Sequence, residues 1–278
     1  MKSLLKRLVT RAVENNYFWG VLDATILRAA SYAELKRRSA KEHSIIDPAI
    51  RTLFPELRVA HGPFQGMKYP EAQSSNSTLF PKLIGSYEKE LHPILEKICK
   101  TNYAEIVDIG CAEGYYAVGL AMRIPSAKIF AFDIDKSAKA LCERMAELNH
   151  VRQRVVTGAF CDVEILKSLP FTGRGLIISD CEGYEKSLFT AEIIPFLAHH
   201  DLLIEIHDLV DIEISSLIRE RFKNTHAITT LQSVDDIAKA HTYVYDELRE
   251  YDLAARKILL AEDRATIMEW FYMTPRTD

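Results

Sequence analysis

From Ala104 onward, apolar runs of strand length alternate with stretches of helical periodicity. The runs are AEIVDIG, AKIFAFDID, QRVVTGAF, GLIISDC and LLIEIHD, with helices expected over residues 115–123, 137–149, 163–169 and 185–199. Strands that are apolar on both faces and alternate with helices specify a parallel sheet covered on both sides. A further helix near residues 212–222 precedes HAITTLQ and ATIMEWFYMT, which suit a terminal antiparallel pair. The expected architecture is α/β, with a doubly wound, mostly parallel, seven-stranded sheet. Residues 233–262, between the last two runs, are too long for a hairpin turn. Their His241, Tyr243, Tyr245, Arg249 and Tyr251 suit either a lid over a flat polar acceptor or a helix packed on the sheet.

The first hundred residues read differently. Helical spacing covers residues 3–42, and Pro48 and Pro55 are expected to interrupt helical structure. LRVAHGPFQGMKY suggests a short hairpin turning over residues 61–66, and a helix is expected over 87–100. The domain division expected is a mainly helical accessory or cap region at 1–100 and a cofactor-binding domain at 101–278.

With 48% hydrophobic and 27% charged residues over 278 positions, the composition is that of an ordinary soluble protein. The net charge of −4 gives no nucleic-acid footprint. Residues 1–41 carry nine Lys/Arg against three Asp/Glu. A basic helix there, with Lys2, Lys6, Arg7 and Arg11 opposite Leu4, Leu5 and Leu8, suits a peripheral membrane or protein contact, or plain packing of its apolar face. Five cysteines lie scattered without CxxC pairs, so reduced thiols, no structural zinc and a cytoplasmic location are expected. No apolar run reaches the roughly 18 residues of a membrane span, and charges interrupt any signal-peptide core.

The turn after the first strand, Val107-Asp108-Ile109-Gly110-Cys111-Ala112-Glu113-Gly114-Tyr115, is the sharpest local signal. In doubly wound folds a ligand sits at such a turn, outside the carboxyl ends of the strands. A dinucleotide loop wants G-x-G-x-x-G, but Ala112 and Tyr115 stand where the later glycines belong. Asp108 and Glu113 also disfavour a pyrophosphate and tolerate a cofactor that carries an ammonium and a sulfonium. Asp133, about 20 residues further on at the end of the second strand, suits the two ribose hydroxyls. Phe132 and Ile134 would flank an adenine, and Ala159 and Phe160 would lie at its edge.

With DIGCAEG and FAFDID, residues 104–207 resemble a class I S-adenosylmethionine-dependent methyltransferase. Asp180-Cys181-Glu182-Gly183-Tyr184-Glu185, followed by Glu205-Ile206-His207, further resembles the FkbM family, with Cys181 in place of an aliphatic residue. The resemblance implies a Rossmann-like methyltransferase fold and S-adenosylmethionine as cofactor. By the same resemblance, Asp108, Gly110 and Gly114 surround the methionine moiety, Asp133 the ribose, and Ala159 and Phe160 the adenine. Tyr87-Glu88 would cap the methionine end.

A hydroxyl acceptor has a pKa far above 7 and gains from a general base, whereas a carboxylate needs none. Candidates at the strand ends are Asp180, Glu182, Glu205, His207 and Asp208. His207 is the expected base, because its side chain alone has an unperturbed pKa near neutrality. Asp180 is expected to orient the acceptor or the cofactor amine. A divalent metal held by Asp180, His207 and Asp208 is conceivable, but the Asp-Asn or Asp-Asp pair that would favour it is missing, so no metal is expected. The reaction expected is O-methylation of a sugar, glycan or specialised metabolite. Alternatives are N- or carboxyl-methylation of a small molecule or protein, a nicotinamide-dependent oxidoreductase, and a non-catalytic cofactor-binding module.

Overall fold

The computed structural model describes residues 28–75 and 77–276. The chain divides into two compact units, Met1–Ala49 and Ile50–Asp278. Residues 50–100 therefore group with the sheet, whereas the sequence pattern assigned them to the accessory region. The basic helix expected at the start, with its membrane or protein contact, lies outside the described residues.

Helix α1 (Arg28–Leu53) carries Pro48 inside it. Proline was expected to interrupt this stretch. The helix nevertheless continues past Pro48 to Leu53, although the proline gives no bond to the Ser44 carbonyl and its ring crowds that carbonyl. In the second unit, Val59 donates to the Met67 carbonyl and Gly66 to that of Val59, which closes the expected hairpin. Helices α2 (Leu79–Ile84) and α3 (His92–Lys100) follow. α3 starts later than expected: Glu88 stands at φ 47°, outside helical space, and Pro93 occupies the first turn.

The alternating part runs β1 (Glu105–Ile109), α4 (Tyr115–Arg123), β2 (Lys128–Phe132), α5 (Lys136–Leu148), β3 (Val155–Gly158) and α6 (Val163–Ser168). It continues with β4 (Leu176–Ser179), α7 (Glu185–Leu188), α8 (Ile194–Leu197), β5 (Asp201–Ile206) and α9 (Ile214–Phe222). The single helix expected over 185–199 is thus two short ones. Pro195 lies in the first turn of the second helix, where a missing N–H costs no intrahelical bond. After β6 (His226–Gln232) come α10 (Asp236–Thr242), α11 (Leu253–Leu259) and β7 (Glu269–Pro275).

Among the described residues the seven strands form one sheet in the order β3-β2-β1-β4-β5-β7-β6. The first five pair parallel, while β7 runs antiparallel to both β5 and β6. This is the arrangement expected from the sequence: every residue of the central strands β1, β4 and β5 is buried, as helices on both faces require. On one face Val107, Ile177, Leu202, Ile204 and Phe271 pack with Ile218 and Phe222 of α9. Burial of each such side chain stabilises the fold by about 1.5–3 kcal/mol.

The insertion packs against residues 61–89. Tyr245 donates to the Gly85 carbonyl, His61 pairs with Glu247 at 2.7 Å, and Thr78 donates to the Ala261 carbonyl. The Lys89 ammonium lies 4.5 Å and 4.8 Å from the ring centres of Tyr243 and Tyr245. Two of the tyrosines offered as a lid are therefore engaged by a lysine. No helix among the described residues is long and apolar enough to cross a membrane, and all five cysteines are free.

Candidate active site

Because β1 to β4 run parallel, their carboxyl ends share one edge of the sheet, and the loops after them enclose a cavity of about 460 Å3. That volume falls within the roughly 300–1,000 Å3 typical of small-molecule sites. Its floor is the glycine loop. Gly110 has φ 83°, and a Cβ there would stand 1.7 Å from the Asp180 carbonyl oxygen. Only glycine satisfies both the backbone angle and the close approach of the β4 loop. Ala112 is also left-handed, at φ 45°, and its N–H donates to Asp133 Oδ2 at 2.8 Å. Asp133 Oδ1 accepts from the Asp135 N–H at the same distance. One carboxylate thus ties the loops after β1 and β2 together while lining the cavity.

Of the candidate cofactor residues, Gly110, Asp133, Ile134, Ala159, Phe160 and Asp180 line this cavity. Ile134 and Phe160 are exposed, and Phe160 packs against Tyr184 with ring centres 5.2 Å apart and ring planes inclined at 57°. Asp108, Gly114 and Glu88 do not line it. Asp108 is buried behind the loop, where burial pushes its carboxyl up to about 7 and Oδ2 has no hydrogen-bond partner. Gly114 caps α4 at φ 92°, with Cys142 too close for a side chain.

Glu113 corrects the electrostatic part of the sequence argument. It is not part of the cavity lining but lies fully buried behind it, paired with Lys82 of α2. Its carboxylate also accepts from the Ser74 hydroxyl and the Ser75 N–H. Lys82 was missed by sequence reasoning, although a single lysine in the apolar run LFPKLI is a signal that it has a partner.

Where Asp180 and Glu182 line the cavity, the buried Glu185, Glu205 and His207 converge on them from behind, and none of these three is itself part of the lining. His207 Nδ1 lies 2.6 Å from Glu185 Oε1, and its Nε2 lies 3.4 Å from Asp180 Oδ1 and 3.6 Å from Glu182 Oε2. Burial lowers the His207 pKa, but the Glu185 hydrogen bond and the charges of Glu205 and Glu182 raise it above its ordinary value overall. Asp180 is pushed well above the usual carboxylate range by burial and by the charges of Glu205 and Glu88. Asp208 is turned away, accepting from the Ser215 N–H in the first turn of α9. Donor atoms of Asp180, Glu205 and His207 lie within 4.8 Å of one another, a spacing that a cation can span.

Behind them, Arg264 bonds to Glu205, Glu88 and Glu262. Glu88 also accepts from the Tyr116 hydroxyl, and burial pushes its carboxyl up to about 8 against the pull of Arg264. Glu88 is thus part of a buried charge network and does not line the cavity. Arg264 lies far in sequence from its partners, and no local pattern marks it.

No family model matches the chain. A release factor glutamine methyltransferase from Flavobacterium psychrophilum is 30% identical over 116 residues, which are 40% of this chain and 39% of that protein. The chain thus spans well under half the length of that curated relative. Among solved structures, the O-methyltransferase TomG from Streptomyces achromogenes in complex with SAM aligns with TM-score 0.43 and 14% identity, over 70% of this chain and 83% of that one. Precorrin-6y C5,15-methyltransferase from Geobacter metallireducens aligns with TM-score 0.45 and 11% identity, over 68% and 87%.

Proposed function

We propose that the chain is an S-adenosylmethionine-dependent methyltransferase acting on a hydroxyl of a sugar, glycan or specialised metabolite in the cytoplasm. The observation that carries the reading is Asp133, whose carboxylate holds the glycine loop by the Ala112 N–H and lines the cavity beside that loop. The residues present fit the cofactor. Asp133 faces the cavity for ribose hydroxyls, Ile134 and Phe160 offer exposed apolar faces for adenine, and Asp180 offers a carboxylate to the ammonium. When bound, the cofactor supplies a methyl group already activated on a sulfonium.

The remaining chemistry belongs to the chain. Glu185 accepts the Nδ1 proton of neutral His207, which leaves the Nε2 lone pair to take the acceptor's hydroxyl proton. Asp180 orients that hydroxyl beside Nε2. Holding the acceptor in line contributes roughly 7–11 kcal/mol to lowering the barrier. The choice of a hydroxyl rests on the FkbM-like segments DCEGYE and EIH, whose acidic residues and histidine surround this point. Residues 74–88, from the region expected to act as a cap, supply Ser75, Ser77, Lys82 and Tyr87 to the cavity wall.

A second reading, methylation of a nitrogen on a protein or small molecule, is favoured by the glutamine methyltransferase that shares 30% identity over 116 residues. Calorimetric titration with S-adenosylhomocysteine, S-adenosylmethionine and NAD tests the cofactor. Binding of the first two, abolished by Asp133→Ala, is the expected result. Binding of NAD alone overturns the reading.

A further inference from the structure

The cavity is electrically lopsided. Asp133, Asp135, Asp180 and Glu182 line it, and among the described residues a single cation, Lys82, does so. A ligand that ends in an amino acid carries one carboxylate, which those four acids repel. Lys82 has the Tyr87 and Tyr115 ring centres 4.7 Å and 5.5 Å from its Nζ. Ser75 and Ser77 line the same stretch of wall.

We propose that Lys82, together with the Ser75 and Ser77 hydroxyls, is the anion subsite that takes the α-carboxylate of the cofactor's methionine end. The proposal rests on the cofactor reading above. Lys82 Nζ donates to Glu113, to Ser74 Oγ at 3.0 Å and to Ser77 Oγ at 2.7 Å. A serine hydroxyl both accepts and donates. An arriving carboxylate therefore replaces Ser77 as acceptor on Nζ, and the Ser77 hydroxyl turns from the Ser75 carbonyl to donate to the carboxylate. Glu113 keeps the cation in place throughout: it is fully buried, sits within the glycine loop and has its other oxygen on the Ser75 N–H. The subsite is thus fastened to the loop over which the cofactor lies, and Lys82 keeps a neutralising partner when no ligand is bound.

The test compares S-adenosylhomocysteine with 5′-methylthioadenosine, which lacks the amino-acid end, by calorimetry on the full chain. Lys82→Met alone strands a buried carboxylate, so Lys82→Met with Glu113→Gln is measured beside it, and thermal melting checks that each variant folds. In the double variant, affinity for S-adenosylhomocysteine should fall roughly 10- to 150-fold, as for loss of a hydrogen bond to a charged group. Affinity for methylthioadenosine should stay unchanged. Equal losses for both ligands, or no loss for either, overturn the subsite while leaving the cofactor reading intact. Wild-type protein that binds neither nucleoside but binds NAD overturns both, and assigns the anion to a phosphate.

Discussion

His207 Nδ1 stands 2.6 Å from Glu185 Oε1, and both side chains are buried. A buried carboxylate on Nδ1 favours the tautomer that keeps the proton there, as the proposed proton transfer at Nε2 requires. It also raises the His207 pKa above its ordinary value against the effect of burial. His207 in the proposed role of base acts only when neutral, so the rate should rise with pH through that raised pKa.

His207→Ala should lower turnover by roughly 10²- to 10⁴-fold while cofactor affinity is unchanged. Glu185→Gln should lower turnover less and also move the acid limb of the kcat profile to lower pH, because the neighbouring charge is gone. Kinetics over pH 5–9 read both effects. An acid limb that stays in place in Glu185→Gln removes His207 from the proton transfer.

Gly110→Ala tests the contact between the glycine loop and the β4 loop. The added methyl would meet the Asp180 carbonyl at 1.7 Å, at a φ of 83° that alanine resists. Destabilisation of about 1–3 kcal/mol is expected from the backbone angle alone, measured by urea unfolding. Displacement of Asp180 should weaken S-adenosylhomocysteine binding as well. Wild-type affinity in a folded Gly110→Ala protein would show that the loop and Asp180 bind independently.

The sheet was legible because its signals are local. Five apolar runs between helical stretches specify parallel strands, and the last two runs form the antiparallel pair; the order β3-β2-β1-β4-β5-β7-β6 comes from the structure. The cavity residues at strand ends, Asp133, Ala159, Phe160 and Asp180, were legible for the same reason. Residues whose role depends on distant partners were not. Glu113 looks like an acid at a helix start until Lys82, 31 positions earlier, is seen to neutralise it. Glu88 looks like a ligand cap until Arg264, 176 positions later, draws it into the interior. Charge read along a sequence has the right sign but not the right address.

Asp108 gives the fold a pH dependence of definite sign. Burial, opposed by the Ala117 backbone hydrogen bond, holds its carboxyl at about 7, against about 3.9 for an unperturbed aspartate. Between those values the folded protein keeps a proton that the unfolded chain releases, so stability falls as pH rises across that window. Asp108→Asn mimics the protonated form. At pH 8 it should be more stable than wild type by roughly 1–3 kcal/mol, the penalty of an unsatisfied buried polar group, and at pH 4 the two should match. Urea unfolding at both pH values measures the difference. Parallel pH profiles for the two proteins would place the titration elsewhere.

The acidic groups around His207 also decide whether a cation takes part. Asp180, Glu205 and His207 place donor atoms within 4.8 Å of one another, but Glu205 already holds the Arg264 guanidinium. A divalent ion would have to displace that cation from a buried carboxylate, which leaves the guanidinium with only Glu88 and Glu262. Dialysis against EDTA should therefore leave turnover unchanged, and added magnesium should not raise the melting temperature. Arg264→Gln releases Glu205 and should make the same cluster responsive to magnesium if its geometry survives. Activity lost in EDTA and restored by magnesium in the wild-type protein would assign the cluster to a metal, and His207 would then be a ligand instead of the base.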